Sequence, residues 1–103
     1  MSKYHAEPVI VDGVRFASKK EGKRYGELKL LQDAGEITDL ICHPRWPLTV
    51  NGIRVANYEA DFSYYDCRQE RPVVEDVKGI KTPVYRLKRR MMKAIYGIEI
   101  SET

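Results

Sequence analysis

The stretch Val73–Lys81, VVEDVKGIK, sets two acids and two lysines around a run of valines. Read as a strand it has two faces, because alternate residues point opposite ways. Val74, Asp76 and Lys78 line one face; Val73, Glu75 and Val77 line the other. Gly79 breaks the strand. Upstream, Asp66–Pro72 is turn-rich, and before it RWPLTVNGIRVANYEADFSYYD carries a two-residue hairpin signal at Asn51-Gly52. The pattern predicts a first strand over Trp46–Val50, a long second strand over Ile53–Tyr65 and a third over Val73–Lys78.

On that long strand Glu59, Asp61 and Ser63 share one face, and Ala60, Phe62 and Tyr64 share the other. If the second and third strands pair, Asp61 comes close to Asp76. Two neighbouring carboxylates repel, and burial penalises both charges. A hard divalent cation offsets that cost with oxygen ligands, and Lys78 is then free to orient a water or to stabilise charge on a phosphate. An exposed sheet face with surface salt bridges is the bland alternative for either strand taken alone.

Further out, VIVDGVRF reads as a small hairpin, Val9–Val11 and Val14–Phe16 around Asp12-Gly13. SKKEGKRYGELKLLQDAG reads as a helix capped by Ser18, with Glu21 placed to complete a capping box and Gly35 to end it. Tyr25, Leu28, Leu31 and Ala34 form its apolar stripe. Glu21 extends that stripe, so it reads equally as a cap and as an inward acid. A second helix opens at Thr82-Pro83 and stops at Gly97. Val84, Leu87, Met91 and Ala94 or Ile95 form its apolar face, and Ile98–Ile100 is a short closing strand. The order is helix, three strands, helix, strand: an α/β domain with a mixed sheet flanked by helices.

The 103 residues suit one domain with one core over 1–103. With 43% hydrophobic and 32% charged residues, the composition is that of a soluble globular chain. No apolar run approaches the roughly 20 residues of a membrane helix, and no membrane partner is expected. The opening MSKYHAEPVIV lacks a signal-peptide core, so the expected compartment is the cytoplasm. Cys42 and Cys67 are too few for a disulfide framework, and Cys42 beside His43 makes a poor zinc motif because neighbours on a strand face opposite ways. The net charge of +3 matters less than its distribution: seven basic residues and no acid lie between Lys78 and Lys93. Arg86, Arg89, Arg90 and Lys93 form a stripe on the second helix suited to phosphate contact, with Lys88 a separate candidate beside the site. Trp46 and the tyrosines Tyr25, Tyr58, Tyr64 and Tyr65 read as packing residues.

Asp61 in YEADFSYY, followed by Asp76-Val77-Lys78, resembles the PD-(D/E)XK nuclease superfamily. The stretches FASKKEGKRYGELKLLQDAGEI and VVEDVKGIKTPVYRLKRR are similar to a group of short, standalone phage and prophage proteins within it. The likeness runs from about Val9 to the end. It departs at Ala60, where the motif has proline, and in using Asp76 rather than Glu. The resemblance implies a small restriction-endonuclease-like core. It implies a site of Glu21, Asp61, Asp76 and Lys78, in which Glu21, Asp61 and Asp76 hold magnesium, with manganese as a substitute. Arg86, Lys88, Arg89, Arg90 and Lys93 would seat the nucleic acid. The expected function is a metal-dependent DNA endonuclease acting on branched or duplex DNA, structure-selective in the manner of a phage Holliday-junction resolvase or a nicking enzyme. Its place would be the host cytoplasm if phage-encoded. Cutting both strands needs two sites, so a homodimer is expected. The alternative is a catalytically inactive nucleic-acid-binding or partner-binding module on the same fold.

Overall fold

The computed structural model describes residues 7–77 and 81–103, and ten elements form among these described residues. In order they are β1 (Val9–Val11), β2 (Val14–Phe16), α1 (Lys19–Asp33), β3 (Ile37–Cys42), β4 (Arg45–Val50), β5 (Ile53–Glu59), β6 (Phe62–Asp66), β7 (Arg71–Asp76), α2 (Pro83–Tyr96) and β8 (Ile100–Glu102). The domain is α/β. A mixed sheet runs β3-β6-β7-β8, and β1-β2 and β4-β5 are separate hairpins. The pairs β3–β6 and β6–β7 are antiparallel, while β7–β8 is parallel, joined through α2. Five strands, not three, stand between the helices.

The local signals act as expected at both hairpins. Asp12-Gly13 and Asn51-Gly52 all adopt positive φ, the geometry of a turn that matches strand twist. In α1 the Ser18 oxygen accepts the Glu21 N–H at 3.2 Å. In α2 the Thr82 hydroxyl accepts the Tyr85 N–H at 3.1 Å, and Gly97 takes the left-handed cap.

The long strand over Ile53–Tyr65 is a misreading. It breaks at Ala60–Asp61 into β5 and β6, which belong to different sheets. Backbone pairing changes partners there. Ala60 donates to the Pro44 carbonyl at 3.0 Å, and Asp61 donates to Glu75 at 3.2 Å while accepting from His43 at 2.9 Å. Ala60 and Phe62 therefore sit in different cores rather than on one face. The strand β3 escaped the pattern reading because ITDLIC does not alternate cleanly. Asp39 has φ 57° and the register slips between Thr38 and Ile41. The third strand is Arg71–Asp76, and Lys78 lies outside the described residues. The closing strand begins at Ile100 rather than Ile98.

The mixed sheet carries a core on each face. On one side Phe62 and Ile37 pack against Phe16 of the first hairpin and against Tyr25 and Leu28 of α1. On the other, Val74 and Ala60 pack with Leu48 and Tyr58 of the β4–β5 hairpin and with Tyr85 and Met92 of α2. Both helices bury a narrower or different face than their apolar stripes predict. In α1 only Gly22, Tyr25 and Leu28 are buried, and Leu31 and Ala34 face solvent. In α2 the buried residues are Tyr85 and Met92, whereas Val84, Leu87 and Ile95 are exposed. The phenol of Tyr85 reaches β8 and fixes that rotation: its hydroxyl donates to Glu102 at 2.6 Å.

Candidate active site

Two reciprocal hydrogen bonds join the β5–β6 break to the end of β7. The Asp61 N–H donates to Asp76 Oδ1 at 3.1 Å, and the Val77 N–H donates to Asp61 Oδ2 at 2.6 Å. Each aspartate thus caps backbone beside the other. This follows from the strand break, which leaves the Asp61 and Val77 amides beyond the regular β6–β7 ladder. Asp76 is 1% exposed, and its second oxygen accepts the Tyr58 hydroxyl.

The first turn of α1 delivers Glu21 to the same place. Glu21, Asp61, His43, Arg15 and Glu59 line a cleft of about 380 Å³. The Glu21 carboxyl is held above its usual range, first by burial and then by the charge of Asp61, and the Ala17 amide and His43 act in the opposite sense. Cap and inward acid turn out to be one arrangement: Glu21 accepts from the Ala17 amide at the helix start while facing Asp61.

Two carboxylates that raise each other's energy in a half-buried cleft suit a hard cation. Among the described residues no three His, Cys, Asp or Glu side chains have the geometry of a metal site. That argues against a closed, all-protein cage. Magnesium commonly binds through one or two carboxylates and takes its remaining ligands from water and phosphate. Glu21 and Asp61 fit that donor set, and Asp76 sits behind them as the acceptor of the Asp61 amide.

Residue by residue, the chain sets Glu21 beside Asp61 and Asp61 beside Asp76, while Asp76 itself does not line the cleft. Lys88 lines an adjoining cleft with Arg45, Tyr58 and Glu59. The basic stripe of α2 is not left without acids: Arg89 binds Glu102 at 2.9 Å and Lys93 pairs with Glu99. Both acids come from the C-terminal segment, so sequence distance hid the pairing. Arg86 and Arg90 remain exposed.

Two further residues belong to this region. His43 lies in the cleft with φ 55°, its ring 5.6 Å from that of Phe16. Its only sequence signal was adjacency to Cys42, a poor zinc motif that gave no link to the acids. Glu75 is fully buried on the opposite face of β7. The Arg24 guanidinium holds it by two bonds of 2.5 and 3.0 Å, and the Tyr64 hydroxyl adds a third at 2.7 Å. This ion pair ties β7 to α1 and so fixes Asp76 relative to Glu21. Burial and then Glu75 push the Tyr64 phenol up to about 12. A cleft of about 700 Å³ lined by Trp46, Tyr65 and Arg71 contains none of the candidate acids.

Comparison with curated proteins and with solved structures finds no match. The match is to a family: over residues 1–101 the chain fits the one described as "Protein of unknown function (DUF1064)", and it belongs to that family.

Proposed function

We propose that the protein is a magnesium-dependent DNA endonuclease of the PD-(D/E)XK type, selective for DNA structure rather than sequence. The observation that carries this reading is the Glu21–Asp61 pair in one cleft, with Asp76 hydrogen-bonded to the Asp61 main chain. A surface salt-bridge pattern has no use for like charges drawn together in this way. The element order also supports it. With the two hairpins set aside, α1, β3, β6, β7, α2 and β8 remain, a sequence of elements compatible with the order the resemblance implies.

A divalent cation bound at this cleft would polarise the scissile phosphate and lower the pKa of a water. Glu21 and Asp61 supply its protein oxygens. Asp76 accepts the Asp61 amide and holds that carboxylate in place. Lys78, two residues beyond Asp76, orients the attacking water or offsets charge on the phosphate. Arg86, Arg90 and Lys88 seat the backbone, and such contacts carry no sequence information.

The burial of Asp76, with both oxygens already accepting hydrogen bonds, favours a second reading: a nucleic-acid-binding or partner-binding module without chemistry. Incubation with supercoiled plasmid and with a synthetic four-way junction separates the two. The nuclease cuts with magnesium or manganese and not with EDTA, and Asp61→Asn lowers the rate by about 10- to 100-fold while still binding. Wild type that binds DNA and never cuts it under these conditions establishes the second reading.

A further inference from the structure

The β4–β5 hairpin is rooted in the core and bare at its tip. Leu48 and Tyr58 are buried, and Ala56 packs beside them. Toward the turn the apolar residues face solvent: Val50 is 51% exposed, Ile53 67% and Val55 58%. Val50 and Ile53 pair across the strands, so their side chains lie together on one face at the Asn51-Gly52 turn. Hairpin tips are ordinarily polar, and this pair contributes to neither core.

At its root the same hairpin meets the acid cleft. Glu59 lines that cleft and also an adjoining one of about 520 Å³, which follows β5 past Asn57 to Lys88 of α2. Arg45 lines the second cleft and binds Glu59 at 2.9 Å. Arg54 is exposed beside the tip. A track therefore leads from Glu21 and Asp61 along the hairpin, and the acid on it, Glu59, is already paired with a cation.

We propose that the hairpin tip is a wedge for branched DNA. Val50 and Ile53 enter the stack where base pairing is interrupted, and the second cleft seats the backbone that leads to the acids. The choice of partner rests on the endonuclease reading. Two features select a branch point over continuous duplex. Apolar side chains that enter between bases must unstack them, and a branch point has already lost part of that stacking. The tip from Thr49 to Arg54 carries a cation and no acid, so nothing on it repels phosphate. The strand sets the reach. From Ile53 to Glu59 β5 extends roughly 20 Å, about six base pairs of duplex. A cut made at the acids therefore falls within about six nucleotides of the wedge.

The test is binding of the intact chain to a synthetic four-way junction and to a linear duplex of equal length. Each carries the fluorescent base 2-aminopurine, at the branch or at the centre, which brightens when it unstacks. In EDTA and in calcium, wild type should bind the junction about 10-fold more tightly than the duplex and brighten the branch-point base. Val50→Ser combined with Ile53→Ser should lose both effects and bind the duplex as wild type does. Both positions are exposed, so the far-ultraviolet circular dichroism should not change. Ile10→Ser, at a position 73% exposed on β1, should match wild type throughout. In magnesium, wild type should cut within about six nucleotides of the branch. Junction binding without brightening overturns the proposal, as does brightening that survives the double change, and as do cuts well beyond that distance. Binding of neither DNA also overturns it and leaves the tip to a protein partner. Brightening without cleavage in magnesium sinks the endonuclease reading and upholds the wedge; cleavage without brightening does the reverse.

Discussion

Glu21 stands where the proposed function and stability oppose each other. Its carboxyl is raised first by burial and then by Asp61, so at neutral pH the folded state bears a charge that the unfolded chain bears more easily. Glu21→Gln is expected to stabilise the metal-free protein by about 0.5 kcal/mol or more, measured by urea denaturation in EDTA, while abolishing cleavage. Loss of stability on that change would contradict the proposed repulsion. Gly22 and Gly26 give a sharper contrast, since both lie inside α1. A Cβ at Gly22 would stand 2.6 Å from a Val9 methyl, whereas one at Gly26 meets nothing within 4 Å. Alanine at an open helical site gains roughly 0.5–1 kcal/mol. Gly26→Ala should therefore raise the melting temperature, and Gly22→Ala should lower it by forcing the β1–β2 hairpin off the helix.

Among the elements, β8 anchors α2 through one side chain. Its Glu102 accepts from Tyr85 and Arg89 of α2 and pairs with Lys81 at 2.9 Å. The Tyr85 hydrogen bond first, then Lys81 and Arg89, hold this carboxyl at about 2. A depressed folded-state value stabilises the protein above the unfolded value near 4.5, and that contribution is lost as pH falls from there toward 2. Denaturation midpoints measured across this window should fall less steeply for Glu102→Gln than for wild type. Equal slopes would show that the cluster contributes nothing to acid sensitivity. The same cluster turns α2 so that Tyr85 faces inward and the Val84–Ile95 stripe outward.

At the scale of the molecule, the chain is a plate of 42 × 41 × 20 Å with one core on each side of the mixed sheet. The cores share β6 and β7, since Phe62 faces one and Val74 the other. Damage to either should therefore unfold both. Leu28→Ala and Met92→Ala, at fully buried positions, should each cost about 2–5 kcal/mol and leave a single melting transition seen alike by circular dichroism and fluorescence. Two separate transitions in either variant would mean that the cores fold independently.

Short-range chemistry was legible in the sequence. Asp12-Gly13 and Asn51-Gly52 made their turns, Ser18 and Thr82 began their helices, and Gly97 ended one, because each depends only on residues within a few positions. Strand alternation set Asp61 near Asp76, and Glu21 joined them only through the resemblance to the PD-(D/E)XK superfamily. What spacing could not show was decided by contacts between distant segments. The pattern through Ala60 and Asp61 looks like one strand, but the amides of Ala60 and Asp61 find partners on different strands, and the chain changes sheet there. The apolar stripe of α2 has the period of a buried face, yet Tyr85 with Glu102 and Met92 with the sheet core offer that helix a better rotation. A periodicity records which residues share a side; only the packing of the remaining elements determines which side is covered.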